Sequence, residues 1–339
     1  MTGGRQKLKA LVLYEILKRE TDEEHPLTGT ELCRMLQHRG YPCGRKALYG
    51  EVAALKEYGA DILYVRQPRA GFFLAGREFE VPEVRLLSDA VLAAPFITRR
   101  KTEELTAKLR GLLSRAQSAQ INVPLPEESG VKFENEEIYY AIDAISRAIL
   151  QKKKISFVYY HSVFSGGHIG RNEGRTFVVS PYALIWNADR YYLAGNYEKY
   201  ESVGVFRLDR MRRTEVLGEN CRPFEEVSDY RGSFDAADFA RRTFGMYHGE
   251  KQKVVLRCSS DLLEAVLDKF GNDVPLEHSP DGSFTVSAEV YAGEGLIEWV
   301  LRYGGRVTVL SPEPLREEIV RRIRELCAAY GLSEKIRDP

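Results

Sequence analysis

Apolar positions along the first 80 residues fall at helical spacing three times and then give way to a short hairpin pattern. Leu8, Leu11, Val12, Ile16 and Leu17 mark a first helix. A second opens at Thr28, with Glu31 three residues on as a capping-box partner. It carries Leu32, Met35 and Leu36 and stops at Arg39 and Gly40, ahead of Pro42. A third covers about residues 44–58 and turns Ala47, Leu48, Val52 and Leu55 inward. Residues 62–66 and 71–75 are two β-prone runs joined by a turn at 67–70. Two further helical segments over 82–117 break near Pro95, and the Pro-rich stretch 122–130 reads as a linker. A helix over about 135–152 places Ile138, Ala141, Ile142, Ile145 and Ile149 on one side.

At Lys154 the period falls from 3.6 to 2: Ile155, Phe157 and Tyr159 alternate with Ser156, Val158 and Tyr160. More strands are predicted over 175–185, 190–194 and 203–209, with a turn at 187–189. The loop 165–174, with four glycines, is read as a hairpin tip. Short antiparallel strands so closely spaced predict a small barrel. Residues 222–250 form a polar, aromatic connection. The remainder alternates strand (253–258), helix (261–270), strand (283–290), helix (295–303), strand (306–310) and helix (314–330), an order that predicts a ferredoxin-like domain. The expected fold class is multidomain α+β.

Composition narrows the function. The chain has 339 residues, enough for two or three domains, and 49 basic against 49 acidic side chains. A net charge of zero excludes a globally basic chromatin-type protein but leaves room for a local basic face. The longest apolar stretch, around 90–97, is broken by Pro95 and falls far short of the roughly 20 residues of a membrane span. Glu15 and Lys18 interrupt the place where a secretory signal would be apolar, so a cytoplasmic location with no membrane partner is expected. The five cysteines are scattered with no CxxC pair and read as buried reduced thiols; the six histidines show no HExxH spacing. No metal and no cofactor are expected. The glycine-rich loop lacks GK[ST], and no GxSxG occurs, so no catalytic function is expected.

Three helices with a tight turn between the second and third, followed by a two-stranded wing, predict a winged helix-turn-helix over residues 1–80. Arg45, Lys46 and Tyr49 fall on the first turn of the third helix, away from its apolar stripe. Cations there oppose the helix dipole, so helix stability does not account for them, whereas phosphate or guanine edges do. Arg66 and Arg69 lie in or beside the wing turn, and Thr28 at the second N-cap is positioned to offer a backbone amide to phosphate. The plain alternative is a set of solvated charges on a small helical domain. Residues 1–80 hold 13 Lys and Arg against 11 Asp and Glu, so one copy is expected to bind duplex DNA weakly and a homodimer on a repeated half-site to bind usefully.

The run SPYALIWNADRYYLAG at 180–195 and FRLDRM at 206–211 resemble the WYL domain of bacterial transcription regulators. The naming Trp-Tyr-Leu falls on Tyr191-Tyr192-Leu193, with Tyr at the first position. EWVLRYG at 298–304 with VLSP at 309–312 resembles the C-terminal WCX extension of that family. The resemblance implies a winged helix-turn-helix (1–80), a helical linker region (81–152), a WYL barrel of Sm-like, SH3 type (153–220), a connector (221–250) and the WCX domain (251–339). It also implies a homodimeric regulator whose WYL domain senses an effector, proposed for the family to be a nucleic-acid fragment or a nucleotide. The residues allow this: Arg207 and Arg210 suit bidentate phosphate contact, Tyr159, Tyr182 and Tyr192 offer stacking faces, and Ser180 and His161 offer donors. The alternatives are that the tyrosines are core, that Arg207 pairs with Asp209, that the barrel binds RNA or another single strand directly, or that the effector is an unrelated small molecule.

Overall fold

The structure, a computed structural model, describes residues 8–67, 69–121 and 136–332. Pro68 and the linker read at 122–130 lie outside the described residues. The chain divides into two compact units, residues 1–134 and 135–339.

In the first unit, helices α1 (Lys9–Glu20), α2 (Gly29–His38) and α3 (Arg45–Glu57) precede an antiparallel pair, β1 (Ile62–Val65) and β2 (Gly71–Leu74). Their core is Leu13, Ile16, Leu17, Leu32, Leu36, Leu48, Val52 and Leu55, closed by Ile62, Phe72 and Leu74. The expected phase of α1 is off: Leu8 and Leu11 are exposed, and Leu13 is buried in their place. Six large aliphatic residues lie within ten, Leu8 to Leu17, but a helix buries a stripe only about 100° wide, so Leu8 and Leu11 outside it meet solvent. Ala47 of α3 is likewise exposed. The capping box of α2 forms as expected: the Thr28 side chain accepts from the Glu31 amide while Glu31 accepts from the Thr28 amide. Gly71 is needed where β2 meets Leu27, because a Cβ there would lie 2.7 Å from the Leu27 backbone. Three helices follow rather than two: α4 (Val81–Ala93), α5 (Arg99–Arg110) and α6 (Arg115–Gln120). Arg77 fastens this segment to α1 by donating to the carbonyls of Lys18, Thr21 and Leu112.

In the second unit, α7 (Glu137–Gln151) packs on a five-stranded antiparallel sheet. The strands are β3 (Lys153–Tyr159), β6 (Arg175–Asn187), β7 (Arg190–Tyr197), β8 (Gly204–Arg207) and β9 (Met211–Asn220), in the order β8-β7-β6-β3-β9. The expected closed barrel is corrected here: the sheet is open, with β8 and β9 at its edges. A single 3-10 turn, Leu208–Arg210, carries the chain from one edge to the other. The glycine-rich stretch forms a separate ribbon of β4 (Ser162–Ser165) and β5 (His168–Arg171), turning at Gly166 and Gly167 with φ of +59° and +80°. Its register sets Phe164 opposite Ile169, both largely exposed.

The connection is more than a tether. Val227, Phe239 and Met246 are buried against Ala183, Ile185, Tyr192 and Ala194 of the sheet, and α8 (Ala236–Arg242) lies within it. The chain then forms β10 (Glu250–Cys258), α9 (Leu263–Phe270), β11 (Leu276–His278), β12 (Phe284–Ala292), α10 (Glu294–Arg302), β13 (Val307–Ser311) and α11 (Glu313–Ala329). Its four strands run antiparallel in the order β11-β12-β10-β13 around a core that includes Val254, Leu256, Val266, Val286, Leu296 and Val309.

Candidate functional site

In the first unit the turn between α2 and α3 sets the exposed first turn of α3 beside the first turn of α2. Leu48, Val52 and Leu55 point inward, which leaves Arg45, Lys46 and Tyr49 outward. Arg45 Nη2 donates to Thr30 Oγ1 at 3.0 Å, and the Tyr49 ring meets Phe72 of β2 edge-on at 5.7 Å. Thus α3 and the hairpin share one exposed surface. Two expected contacts are engaged internally. The Thr28 amide donates to Glu31 at 2.9 Å, and Arg69 folds from the hairpin turn onto the same carboxylate. Burial raises the Glu31 carboxyl, but Thr28 and Arg69 outweigh it and hold the group below its usual range. Arg66 is exposed on the hairpin.

In the second unit the predicted effector residues separate into two groups. Tyr159, His161, Tyr192, Arg207 and Arg210 gather where β3, β7 and β8 meet the 3-10 turn. The Tyr159 hydroxyl accepts from the Arg207 amide at 3.1 Å, and its ring meets His161 edge-on at 5.2 Å. Arg210 Nη1 lies 3.5 Å from His161 Nδ1. Tyr192 stands opposite Arg207 in the ladder, and burial pushes its phenol up. Arg207 grips Asp209 through both Nε (3.1 Å) and Nη2 (2.8 Å), a fork that raises the guanidinium further above its usual value. The pairing with Asp209 weighed from sequence is therefore the one present.

Ser180 and Tyr182 belong elsewhere. The Ser180 hydroxyl accepts from the Arg222 amide at 3.0 Å, and the Tyr182 hydroxyl donates to the Arg222 carbonyl at 2.9 Å. Burial pushes the Tyr182 phenol well up, and both side chains seat the connection on the sheet.

Sequence reasoning missed Arg212, which lies beside this first group and feels the charge of Arg171. Burial, followed by the charge of Arg171, lowers the Arg212 guanidinium. Arg212 Nη1 donates to the Asp209 and Met211 carbonyls. The signal lay in the continuation of FRLDR into Met211, Arg212 and Arg213. Arginines around one carboxylate and one imidazole make a site suited to anions with several oxygens. Among the described residues no group of His, Cys, Asp or Glu side chains is placed to hold a metal ion, and no helix is long and apolar enough to cross a membrane.

The fold defines a multidomain α+β protein with several separate sheets. The family model of the WYL domain matches residues 140–216 and that of the WCX domain residues 250–327, so the chain carries a WYL domain followed by a WCX domain. The WYL match begins inside α7, which the sequence reading set outside the barrel. No curated protein matches the sequence. Among solved structures, the proteasome accessory factor B/C (PafBC) of Arthrobacter aurescens is 20% identical, with a TM-score of 0.30, over 92% of this chain and 47% of that one. This chain therefore spans about half of that protein's length. A CRISPR Cas-related protein is 13% identical, with a TM-score of 0.38, over 97% of this chain and 79% of that one.

Proposed function

We propose that the protein is a ligand-responsive, sequence-specific DNA-binding transcription regulator that acts by binding and not by catalysis. Residues 8–74 then form a winged helix-turn-helix, with α3 entering the major groove and the hairpin serving as the wing. Arg45 and Lys46 reach guanine edges or phosphates, Tyr49 flanks them, and Arg66 faces the adjoining backbone, which Arg69 reaches only by leaving Glu31. The observation that carries this reading is the exposed first turn of α3. It sets two cations and an aromatic where the helix dipole disfavours positive charge, on a helix whose other face is filled by core. The WYL domain supports the regulatory role.

In the same reading the open sheet is a relative of the Sm-like, SH3-type barrel and the sensor of an anionic effector, a nucleotide or a short single strand. Arg210, His161 and Arg207 meet its phosphates, Tyr159 and Tyr192 back them, and the residues C-terminal to 250 form a ferredoxin-like domain. A homodimer on two half-sites supplies the affinity that one nearly neutral unit lacks. The test is a duplex titration on DNA from upstream of the coding sequence. Arg45→Ala with Lys46→Ala is expected to lower affinity at least about tenfold, the loss of roughly one good base contact, with thermal unfolding unchanged. Equal affinity in the double variant overturns the reading.

A further inference from the structure

We propose that Cys33 and Cys43 are a redox modification site, closing reversibly into an intramolecular disulfide at the entrance to α3. The two residues are ten apart in sequence, and the fold brings them together. The N-terminal halves of α2 and α3 face each other closely: a Cβ on Gly29 would lie 3.3 Å from the Leu48 side chain. Arg45 also bonds Thr30 across the same gap. Cys33 is one helical turn beyond Thr30 on that face, and Cys43 is two residues before Arg45, next to the N-cap Gly44. The register that sets Leu48 against Gly29 and Arg45 against Thr30 runs on to Cys43 against Cys33. The two thiols are close enough for Cys33 to raise the Cys43 thiol further, and Cys43 Sγ reaches the Gly44 carbonyl at 3.5 Å. Both side chains are half-buried at the margin of the core, within reach of a small reagent, whereas Cys258 is fully buried. The turn between them, with Gly40 at φ +83°, is irregular backbone able to yield as the sulfurs approach.

The oxidant is a disulfide of the glutathione class. A thiolate of the pair attacks one sulfur of the oxidised reagent, forming a mixed disulfide and expelling one reduced thiolate. The second protein thiolate attacks the protein sulfur of that mixed disulfide, which forms the Cys33–Cys43 bond and expels the second reduced thiolate. The protein loses two electrons and two protons, and the reagent gains both. Burial holds the Cys43 thiol above its usual range, with the Lys9 charge opposing it, so closure quickens as pH rises above neutrality. Bond formation draws the sulfurs to about 2.05 Å. The segment before α3 moves with them, and so does the turn that carries Arg45 and Lys46. This regulatory consequence rests on the DNA-binding reading; the crosslink does not.

The full-length chain is treated with oxidised glutathione, alkylated and weighed. The expected result is a mass lower by two hydrogens and a Cys33–Cys43 linked peptide. Dithiothreitol should reverse both, and Cys33→Ser and Cys43→Ser should abolish the link. Stable glutathione adducts on either residue without closure, or a link to another cysteine, overturn the site. Duplex affinity is then compared between closed and reduced protein. Severalfold weaker binding by the closed form, with both serine variants insensitive to the oxidant, supports the regulatory consequence. Equal affinities overturn that consequence alone. Failure of the reduced chain to bind any duplex overturns the DNA-binding reading and leaves the crosslink result standing.

Discussion

Arg207 and Asp209 show how a residue read as a ligand contact also serves the fold. The Asp209 side chain is only 10% exposed and takes two bonds from Arg207. Arg207→Ala leaves that carboxylate without its fork and is expected to destabilise the second unit by about 1–3 kcal/mol. Urea unfolding measures this, with Asp209→Asn in the same background restoring part of the loss; no loss would mean that the pair has no structural role. Arg210→Ala is the cleaner probe of effector response, since the Arg210 side chain meets His161 at 3.5 Å and stands outside the Arg207–Asp209 fork. Lys269 is a second residue-scale case. Its ammonium donates to the Thr243 carbonyl at 2.9 Å and sits 4.2 Å from the Phe244 ring centre, and burial pushes it down to about 8. The unfolded chain holds that proton up to its ordinary value of 10.5, so between about 8 and 10.5 it binds more protons than the folded chain. Stability contributed here therefore rises with pH across that window, by at most about 1.4 kcal/mol per unit, and below it the full penalty applies. Relative to Lys269→Met, the wild type is expected to gain stability from pH 8 to 10 in denaturant melts; a flat difference would mean the amine is not desolvated.

Among the elements, the strongly periodic ones were legible and the polar edges were not. The α2 capping box, α3 and β3 follow from their sequence patterns because a burial period and an end signal coincide there. Strand β9 went unseen. As an edge strand it fully buries only Met211, its half-buried Arg212 and Thr214 are polar, and Arg213, Glu215 and Glu219 are exposed, so it carries no clear apolar alternation to detect. Strand β11 is three exposed residues paired on one side only. The barrel expectation failed for a related reason: strand count and spacing are written in the sequence, but whether two edges pair is decided by strand tilt and register. Of the candidate site, the α3 turn and the Arg207–Arg210 run were legible as local motifs. The diversion of Ser180 and Tyr182 to Arg222 was not, because it depends on a backbone segment 40 residues away. One glycine tests the placement of the hairpin. Gly71→Ala would force a methyl against the Leu27 backbone and is expected to destabilise the first unit by about 1–3 kcal/mol. Thermal unfolding reads the loss, and a neutral result would mean that the strand is not held where it lies.

For the whole molecule, charge balance sets the character of the proposed nucleic-acid binding. With equal numbers of acids and bases there is no general attraction to a polyanion, so binding depends on a few placed cations. The slope of log affinity against log salt for duplex DNA is expected to become shallower by about 0.9 for each phosphate contact removed in the Arg45→Ala, Lys46→Ala variant. Identical slopes would assign those side chains to base edges instead. An anion entering the proposed effector site of the second unit would meet a different situation, because the arginine fork there already holds a resident carboxylate. In the proposed effector site Asp209 would act as an internal competitor, so that the net gain on binding would be only the excess of the incoming ligand over the carboxylate it displaces. Chloride or acetate gains nothing from such an exchange. Under that proposal a ligand that brings several negative oxygens at once would engage Arg207 and Arg210 together, and the carboxylate would work as a threshold that filters ligands by multiplicity of charge.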